Sequence, residues 1–99
     1  MSNKETLQVK LKRLSDEVAE FIYPTTFHFP PEEKFALADQ IRRAALSVPT
    51  NIVEGFSRET DKDKKYYMYL ALSSLSELRY EVYFAHKREY IKDEDFKQF

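Results

Sequence analysis

The sequence of 99 residues contains no cysteine, no tryptophan and a single glycine. Without cysteine, the chain has no disulfides, no thiolate nucleophile and no sulfur ligand for zinc or an iron–sulfur cluster. Tight β-hairpins, phosphate-binding loops and dinucleotide-binding loops each need several glycines, because glycine readily adopts positive φ and lets the backbone approach closely. The scarcity of glycine therefore favours an all-helical protein.

Long apolar runs and an excess of one charge are also absent. The sequence has no run of 18 apolar residues, and its N-terminal segment, MSNKETLQVK, has no apolar core, so neither a transmembrane helix nor a secretory signal is predicted. The 16 Lys and Arg residues balance 17 Asp and Glu residues, unlike the composition of a generic polyanion binder. We expect one cytoplasmic domain over residues 1–99, whose nucleic-acid contacts would come from a local patch or a ring of copies.

Hydrophobic periodicity predicts three long helices and a short fourth one. The long helices are expected from about Lys4 to Ile22, from Pro31 to about Arg58 and from about Asp61 to about Arg88, with the short helix after Asp93. Their apolar stripes are Leu7, Leu11, Leu14, Val18 and Phe21; Ala38, Ile41, Ala45, Val48 and Ile52, widened by Phe35, Leu37, Ala44 and Phe56; and Met68, Ala71, Leu75, Leu78, Val82 and Ala85.

Proline, glycine and threonine mark the expected helix ends. Pro24 is expected to end the first helix, and Pro49 to kink the second, because proline cannot donate to the helical ladder and costs about 3 kcal/mol inside it. Gly55 suits the C-terminal end of the second helix. Thr60 and the acidic residues that follow it predict an N-cap for the third helix.

The second predicted helix carries a sequence motif. The runs Gln40–Ala45 and Ser47–Gly55, read with Phe29–Leu37 before them and Leu70–Leu78 after them, resemble the family of 23S rRNA-intervening-sequence proteins. The resemblance implies an antiparallel up-down four-helix bundle that assembles into a closed ring, a homopentamer, and that has no enzymatic activity. It assigns structural or assembly roles to Gln40, Arg43, Pro49, Asn51, Glu54, Gly55 and Glu77.

One departure from the family concerns the fourth helix. Family members usually continue through a full fourth helix, whereas this chain stops at Phe99. Either the helix is nearly absent or the chain is a fragment. In both cases we expect apolar surface to be exposed on the first and third helices, which invites association.

Basic residues are the best candidates for a function. Lysine and arginine neutralise phosphates, and tyrosine stacks on unpaired bases. The candidate RNA-binding residues are Arg42, Arg43, Arg58, Lys62, Lys64, Lys65 and Tyr66. Three acidic residues, Glu59, Asp61 and Asp63, dilute this set, so in a lone copy it is more typical of a solvated helix start, whereas in a ring the patch repeats and weak sites add.

No catalytic, metal, cofactor, membrane or small-molecule site is predicted. A di-iron bundle needs Glu-x-x-His, but the residues three positions before His28 and His86 are Thr25 and Tyr83. A polar cluster around Asn51 is interpreted mainly as structural, with Asn51 satisfying backbone freed by Pro49. The sequence thus predicts a non-enzymatic homo-oligomer associated with RNA or a ribonucleoprotein. The alternative is a homo-oligomeric protein-interaction scaffold without nucleic-acid binding.

Overall fold

The computed structural model describes residues 5–99, which form α-helices and short 3₁₀ segments and no strand. The helices are α1 (Leu7–Thr25), α2 (Leu37–Phe56), α3 (Asp61–Lys87) and α4 (Asp93–Gln98). Two 3₁₀ segments, Thr26–His28 and Pro31–Glu33, connect α1 to α2. The prediction of an all-α bundle with three long helices and a short fourth is confirmed. The expected start of the first helix at Lys4 lies outside the described residues.

The central element is α2, which packs against both α1 and α3. Within residues 5–99, no Cα atom of α1 comes within 8 Å of one in α3. The largest fully buried side chains are Ile22 of α1, Ile41 of α2, and Leu78 and Val82 of α3. These side chains belong to one core cluster, to which all three long helices contribute around the central α2. This arrangement explains why every residue of the stripe predicted for α2, from Ala38 to Ile52, is buried.

Two helix boundaries differ from the sequence prediction. Pro24 lies inside the last turn of α1, which continues to Thr25. Proline at this position removes one backbone donor without ending the helix. The backbone N–H of Thr26 closes the turn by donating to the carbonyls of Tyr23 and Pro24. The second boundary is the start of α2, at Leu37 instead of Pro31. Phe35, which was expected to widen the buried stripe, is 86% exposed in the turn before α2.

The apolar stripe predicted for the first helix is only partly covered, because Leu11 and Val18 pack against the buried core and the rest of the stripe does not. The buried residues of α1 are Ser15, Ala19 and Ile22, whereas Leu7 and Leu14 of the stripe are exposed. With about 100° between successive residues, the stripe is rotated away from α2 and towards the side on which α3 lies. The expectation of exposed apolar surface on this helix is confirmed at these two leucines.

Pro49 and Gly55 both lie within α2. The helix is continuous through Pro49, as predicted, and the kink stays a prediction. Gly55 lies one residue before the end of α2 at Phe56, as predicted, and its φ is not positive. A Cβ atom at position 55 would lie 3.0 Å from the Cβ of Tyr67, so Gly55 lets the start of α3 approach α2 closely.

Side-chain contacts secure both ends of α3. At its start, the Thr60 hydroxyl accepts a 3.1 Å hydrogen bond from the backbone N–H of Asp63, which confirms the predicted N-cap. At its end, the Nε2 atom of His86 lies 2.6 Å from the Asp93 carboxylate. The His86 ring stacks on Phe96 with 4.1 Å between centroids. These contacts hold the six-residue α4 against the end of α3.

Candidate nucleic-acid interface

The predicted RNA-binding residues separate into two groups along α2. Arg42 and Arg43 lie near the start of this helix, and Arg58 follows its end. The part of α2 from Arg42 to its end at Phe56 rises about 21 Å at about 1.5 Å per residue, so the structure does not bring the two groups into one patch. Lys62, Lys64, Lys65 and Tyr66 lie in the first turns of α3, close along the chain to Arg58.

Two of the cations at the α2–α3 turn hold the turn together. Arg58 donates a 2.7 Å hydrogen bond to the Tyr67 hydroxyl, and its guanidinium lies 4.7 Å from the centroid of that ring. The same guanidinium pairs with the Glu54 carboxylate at 3.5 Å. The Lys64 ammonium donates to the carbonyl of Phe56 at 3.4 Å. Arg58 and Lys64 are thus already engaged in contacts that join α2 to α3.

The other members of this group extend into solvent. Lys62, Lys65 and Tyr66 are exposed, and the Tyr66 ring packs edge-on against Tyr67 with 5.2 Å between centroids. Residues 58–65 hold four cations and three carboxylates, a formal net charge of +1. The exposed part of the turn therefore offers two lysines beside a tyrosine ring of restrained orientation, in a weakly positive field. We call Lys62, Lys65 and Tyr66 the turn patch.

Arg42 and Arg43 have different environments. The Nε–H of Arg42 donates to the Thr26 hydroxyl at 2.6 Å. The Arg42 guanidinium lies 5.7 Å and 5.0 Å from the ring centroids of Tyr23 and Phe27. Arg42 thus fastens the end of α1 to α2. The sequence analysis did not predict this contact. The signal that could have indicated it is the aromatic pair Tyr23 and Phe27, which are four residues apart and so lie on one side of a helix.

Arg43 lies on the outer side of α2. Its side chain is 80% exposed and pairs with Asp39 at 2.9 Å, one helical turn earlier. Exposed ion pairs of this spacing contribute only about 0.3–0.5 kcal/mol, so this contact leaves Arg43 free to exchange partners. Gln40, another motif residue of this helix, is also exposed.

The polar motif residues in the middle of α2 and α3 form a hydrogen-bonded cluster. The hydroxyl groups of Ser47 and Ser74 lie 2.7 Å apart across the two helices. The Asn51 amide donates to the Ser47 carbonyl at 2.8 Å and to its hydroxyl at 3.0 Å. Asn51 was predicted to satisfy backbone freed by Pro49. It bonds to Ser47, one turn earlier, and not to the carbonyl of Ala45, the acceptor whose usual donor Pro49 lacks.

Two carboxylates lie one turn apart on α3. Glu77 is exposed, whereas Glu81 is 8% exposed, and its Oε1 atom has no hydrogen-bond partner within residues 5–99. Burial and the neighbouring Glu77 carboxylate raise the pKa of Glu81 to about 7. Sequence reasoning selected Glu77 and missed Glu81. Its position between the buried residues Leu78 and Ala85, three before and four after, is the signal that reveals its burial.

Two kinds of feature are absent from the described part of the chain. Within residues 5–99, no three His, Asp or Glu side chains are grouped so that they could hold a metal ion. None of the helices in this range is long and apolar enough to cross a membrane.

Comparison with known proteins identifies a family. Residues 7–99 match the family model described as 23S rRNA-intervening sequence protein. No curated protein matches the chain. The matched range includes all the helices and every candidate residue placed above.

Proposed function

We propose that this chain, which belongs to the 23S rRNA-intervening sequence protein family, is a non-enzymatic homo-oligomer that binds RNA, alone or within a ribonucleoprotein. The proposal includes a cytoplasmic location, which cell fractionation tests. The family resemblance leads us to expect five copies. A native mass determination of the purified protein tests that number.

The observation that supports RNA binding is the turn patch. Lys62 and Lys65 make no ion pair within the described residues, so their ammonium groups are available to phosphates. Tyr66 is 57% exposed and presents a ring face on which an unpaired base can stack. In a single copy the net charge of the turn is small, and we expect weak binding. An oligomer repeats the patch, and multivalency then raises the overall affinity.

The first experiment is a titration of the purified protein with a structured fragment of large-subunit ribosomal RNA at two salt concentrations. Duplex DNA and an acidic protein serve as controls. We expect micromolar or tighter binding to RNA that weakens as salt rises, because phosphate contacts release counterions. No binding at the lower salt concentration contradicts the proposal.

A pair of double variants locates the interface. Lys62→Glu with Lys65→Glu is expected to weaken RNA binding about tenfold or more, because it replaces two phosphate contacts with repulsion. Lys34→Glu with Lys92→Glu makes the same change of charge on exposed lysines at the opposite end of the bundle. This control is expected to lower the affinity for RNA much less. Equal losses in the two double variants would show that net charge, and not the turn patch, governs binding.

A protein-interaction scaffold is the second candidate function. It is favoured by the exposed aromatic and aliphatic side chains of α3, since Tyr69, Leu72 and Tyr80 are 69%, 59% and 66% exposed. Binding to a protein partner through this surface would be insensitive to salt. If the RNA titration fails, a pull-down with the intact chain and with Tyr69→Ser and Leu72→Ser variants tests this candidate.

A further inference from the structure

Two neighbouring carboxylates of α3 have no cationic partner in the described part of the chain. Glu77 and Glu81 lie one turn apart, and neither makes an ion pair within residues 5–99. Glu81 is more than nine-tenths buried, and its Oε1 atom has no hydrogen-bond partner in this range. Buried carboxyl groups are normally hydrogen-bonded or paired with a cation. The acid pair, as we call Glu77 and Glu81, is therefore incomplete within one copy.

The acid pair carries a single charge near neutral pH. Burial and the Glu77 carboxylate raise the pKa of Glu81 to about 7, so slightly below neutral pH the two groups together hold one proton and one negative charge. Glu77 is the exposed member of the pair. One cation that reaches Glu77 from outside is therefore sufficient to neutralise the pair.

Arg79 is an exposed arginine that lacks a carboxylate partner within the described residues. It borders an open cavity beside Tyr83 of α3 and Phe96 of α4. The other arginines of residues 5–99 each contact a carboxylate or an aromatic ring: Arg13, Arg42, Arg43, Arg58 and Arg88. The Arg79 guanidinium is thus available to a carboxylate of another molecule, which it can engage through two parallel N–H donors.

Arg79 and the acid pair lie on opposite sides of α3. Arg79 is two residues from both Glu77 and Glu81, which places it about 160° around the helix from each of them. Its level along the helix axis is midway between theirs, about 3 Å from each. The two sides of one helix cannot meet within a copy. A contact between these unlike sides is therefore heterologous, and heterologous contacts can close into rings with an odd or an even number of copies.

The common level along the axis matters for a ring. Rotation about an axis parallel to α3 carries a residue around the ring without changing its level, so Arg79 of one copy meets the acid pair of the next without a shift along the helix. Apolar side chains lie beside both groups. Phe84, seven residues after Glu77, and Leu72, seven residues before Arg79, are both exposed, and residues seven apart lie on one side of a helix.

We propose that Arg79 of one copy pairs with Glu77 of a second copy, beside the buried Glu81, in a heterologous contact between parallel α3 helices. The guanidinium neutralises the acid pair, and apolar side chains of both copies leave water beside it. The contact deepens the proposed function, because it rests on the homo-oligomer proposed there and names the surfaces that join its copies. It is compatible with five copies and uses neither RNA nor the turn patch.

Charge reversal tests the contact. Glu77→Arg alone and Arg79→Glu alone each bring like charges together, and we expect each to raise the protein concentration at which half of the chains are assembled about tenfold or more. The double variant sets opposite charges against each other again, and we expect it to restore assembly. Lys87→Glu is the matched control, since it reverses a charge at an exposed site of α3 about two turns beyond Arg79. It is expected to have little effect.

Analytical ultracentrifugation over a range of protein concentrations measures the assembly of all these variants. Circular dichroism confirms that each of them keeps its helicity. Glu77 and Arg79 are both exposed, so we expect the reversed charges to change assembly without unfolding the chain.

Cysteine pairs test the geometry, since the chain has no cysteine of its own. Glu77→Cys with Arg79→Cys places a thiol on each side of α3, where a short bifunctional maleimide can join neighbouring copies. We expect a ladder of covalent dimers, trimers and larger products from this double variant, and no product larger than a dimer from either single variant. Glu77→Cys with Lys87→Cys is the control for level, because its thiols lie about 15 Å apart along the axis. Equal ladders from the two cysteine pairs overturn the contact.

The results that overturn the contact can be distinguished from those that overturn the proposed function. A monomer at all concentrations contradicts the homo-oligomer, and the contact with it. An oligomer that both single charge-reversal variants leave unchanged contradicts the contact alone, as does a double variant that keeps its helicity and does not reassemble. Loss of RNA binding in the turn-patch variant, with assembly still dependent on Arg79, leaves the contact supported.

Discussion

Glu81 is a carboxylic acid whose pKa departs far from its ordinary value. Its carboxyl lies on the buried side of α3, and its nearest neighbours along that face, Leu78 and Ala85, are both fully buried. Burial disfavours the charged form, and the Glu77 carboxylate one turn earlier disfavours it further. Together they raise the pKa of Glu81 from 4.5 to about 7. Between pH 4.5 and about 7, the folded protein therefore holds a proton that the unfolded chain releases.

This difference makes the free energy of unfolding depend on pH. Because the pKa of Glu81 is higher in the folded state, its contribution is most favourable below pH 4.5 and is lost as pH rises from 4.5 through about 7. We predict that Glu81→Gln, a neutral side chain of the same shape, removes much of this fall. Urea unfolding of both proteins at pH 5 and pH 8 measures it. A parallel fall in both proteins contradicts the prediction.

At the scale of the elements, the start of α3 depends on one side chain. Thr60 adopts extended backbone angles, with φ −96° and ψ 149°, and its hydroxyl accepts from the N–H of Asp63. One of the unpaired donors of the first turn is satisfied in this way. The cap matters to the candidate interface because the exposed lysines and tyrosine of the turn patch lie in the turns that it initiates.

We predict that Thr60→Ala lowers the free energy of unfolding by about 1 kcal/mol, as loss of a threonine N-cap generally does. Thr50→Ala is the matched control, since Thr50 is exposed in the middle of α2 and its hydroxyl donates only to the carbonyl of Leu46. It is expected to change stability by less than about 0.5 kcal/mol. Chemical denaturation measures the free energy of unfolding of both variants. Equal losses of stability in the two variants contradict the role of Thr60 as a cap.

At the scale of the whole molecule, α2 is the helix on which the fold is built. Both other long helices pack on it, whereas within the described chain no Cα atom of α1 lies within 8 Å of one in α3. The backbones of α2 and α3 therefore lie close together, and α1 and α3 meet only through side chains of the shared core. Side chains on the two sides of α3 consequently differ in burial, with Leu78 fully buried and Leu72 59% exposed.

The difference in burial between Leu78 and Leu72 predicts how much each side chain contributes to the free energy of unfolding. Leu78→Ala is expected to lower the free energy of unfolding by about 3 kcal/mol, because it leaves a cavity in the core. In dilute protein, Leu72→Ala is expected to cost less than about 1 kcal/mol, because the side chain is already in contact with water. Urea unfolding over a range of protein concentrations measures both. Equal losses of unfolding free energy for Leu72→Ala and Leu78→Ala at the lowest concentration contradict the prediction.

Much of the fold could be predicted from the sequence, because its signals are local. The spacing of apolar residues in α2 and α3 places them on one face of each helix whatever else is nearby, and the Thr60 cap involves contacts three residues apart. The candidate site could be predicted less well. The split of the cations into two groups, and the engagement of Arg58 with Tyr67, depend on the length of α2 and on how closely α3 approaches it.

By itself, the sequence determined the helical class, the position of the long helices and the motif that connects the chain to its family. The helical class and the helix positions follow from periodicity, caps and the scarcity of glycine, and the motif from the identity of its residues. Only the tertiary structure decided which face of each helix is buried. The leucines of α1 form an apolar stripe in either case, but whether α2 covers that stripe or a neighbouring face depends on the packing of all the helices together. The same is true of Gly55 and Glu81, whose roles depend on neighbours that packing brings close.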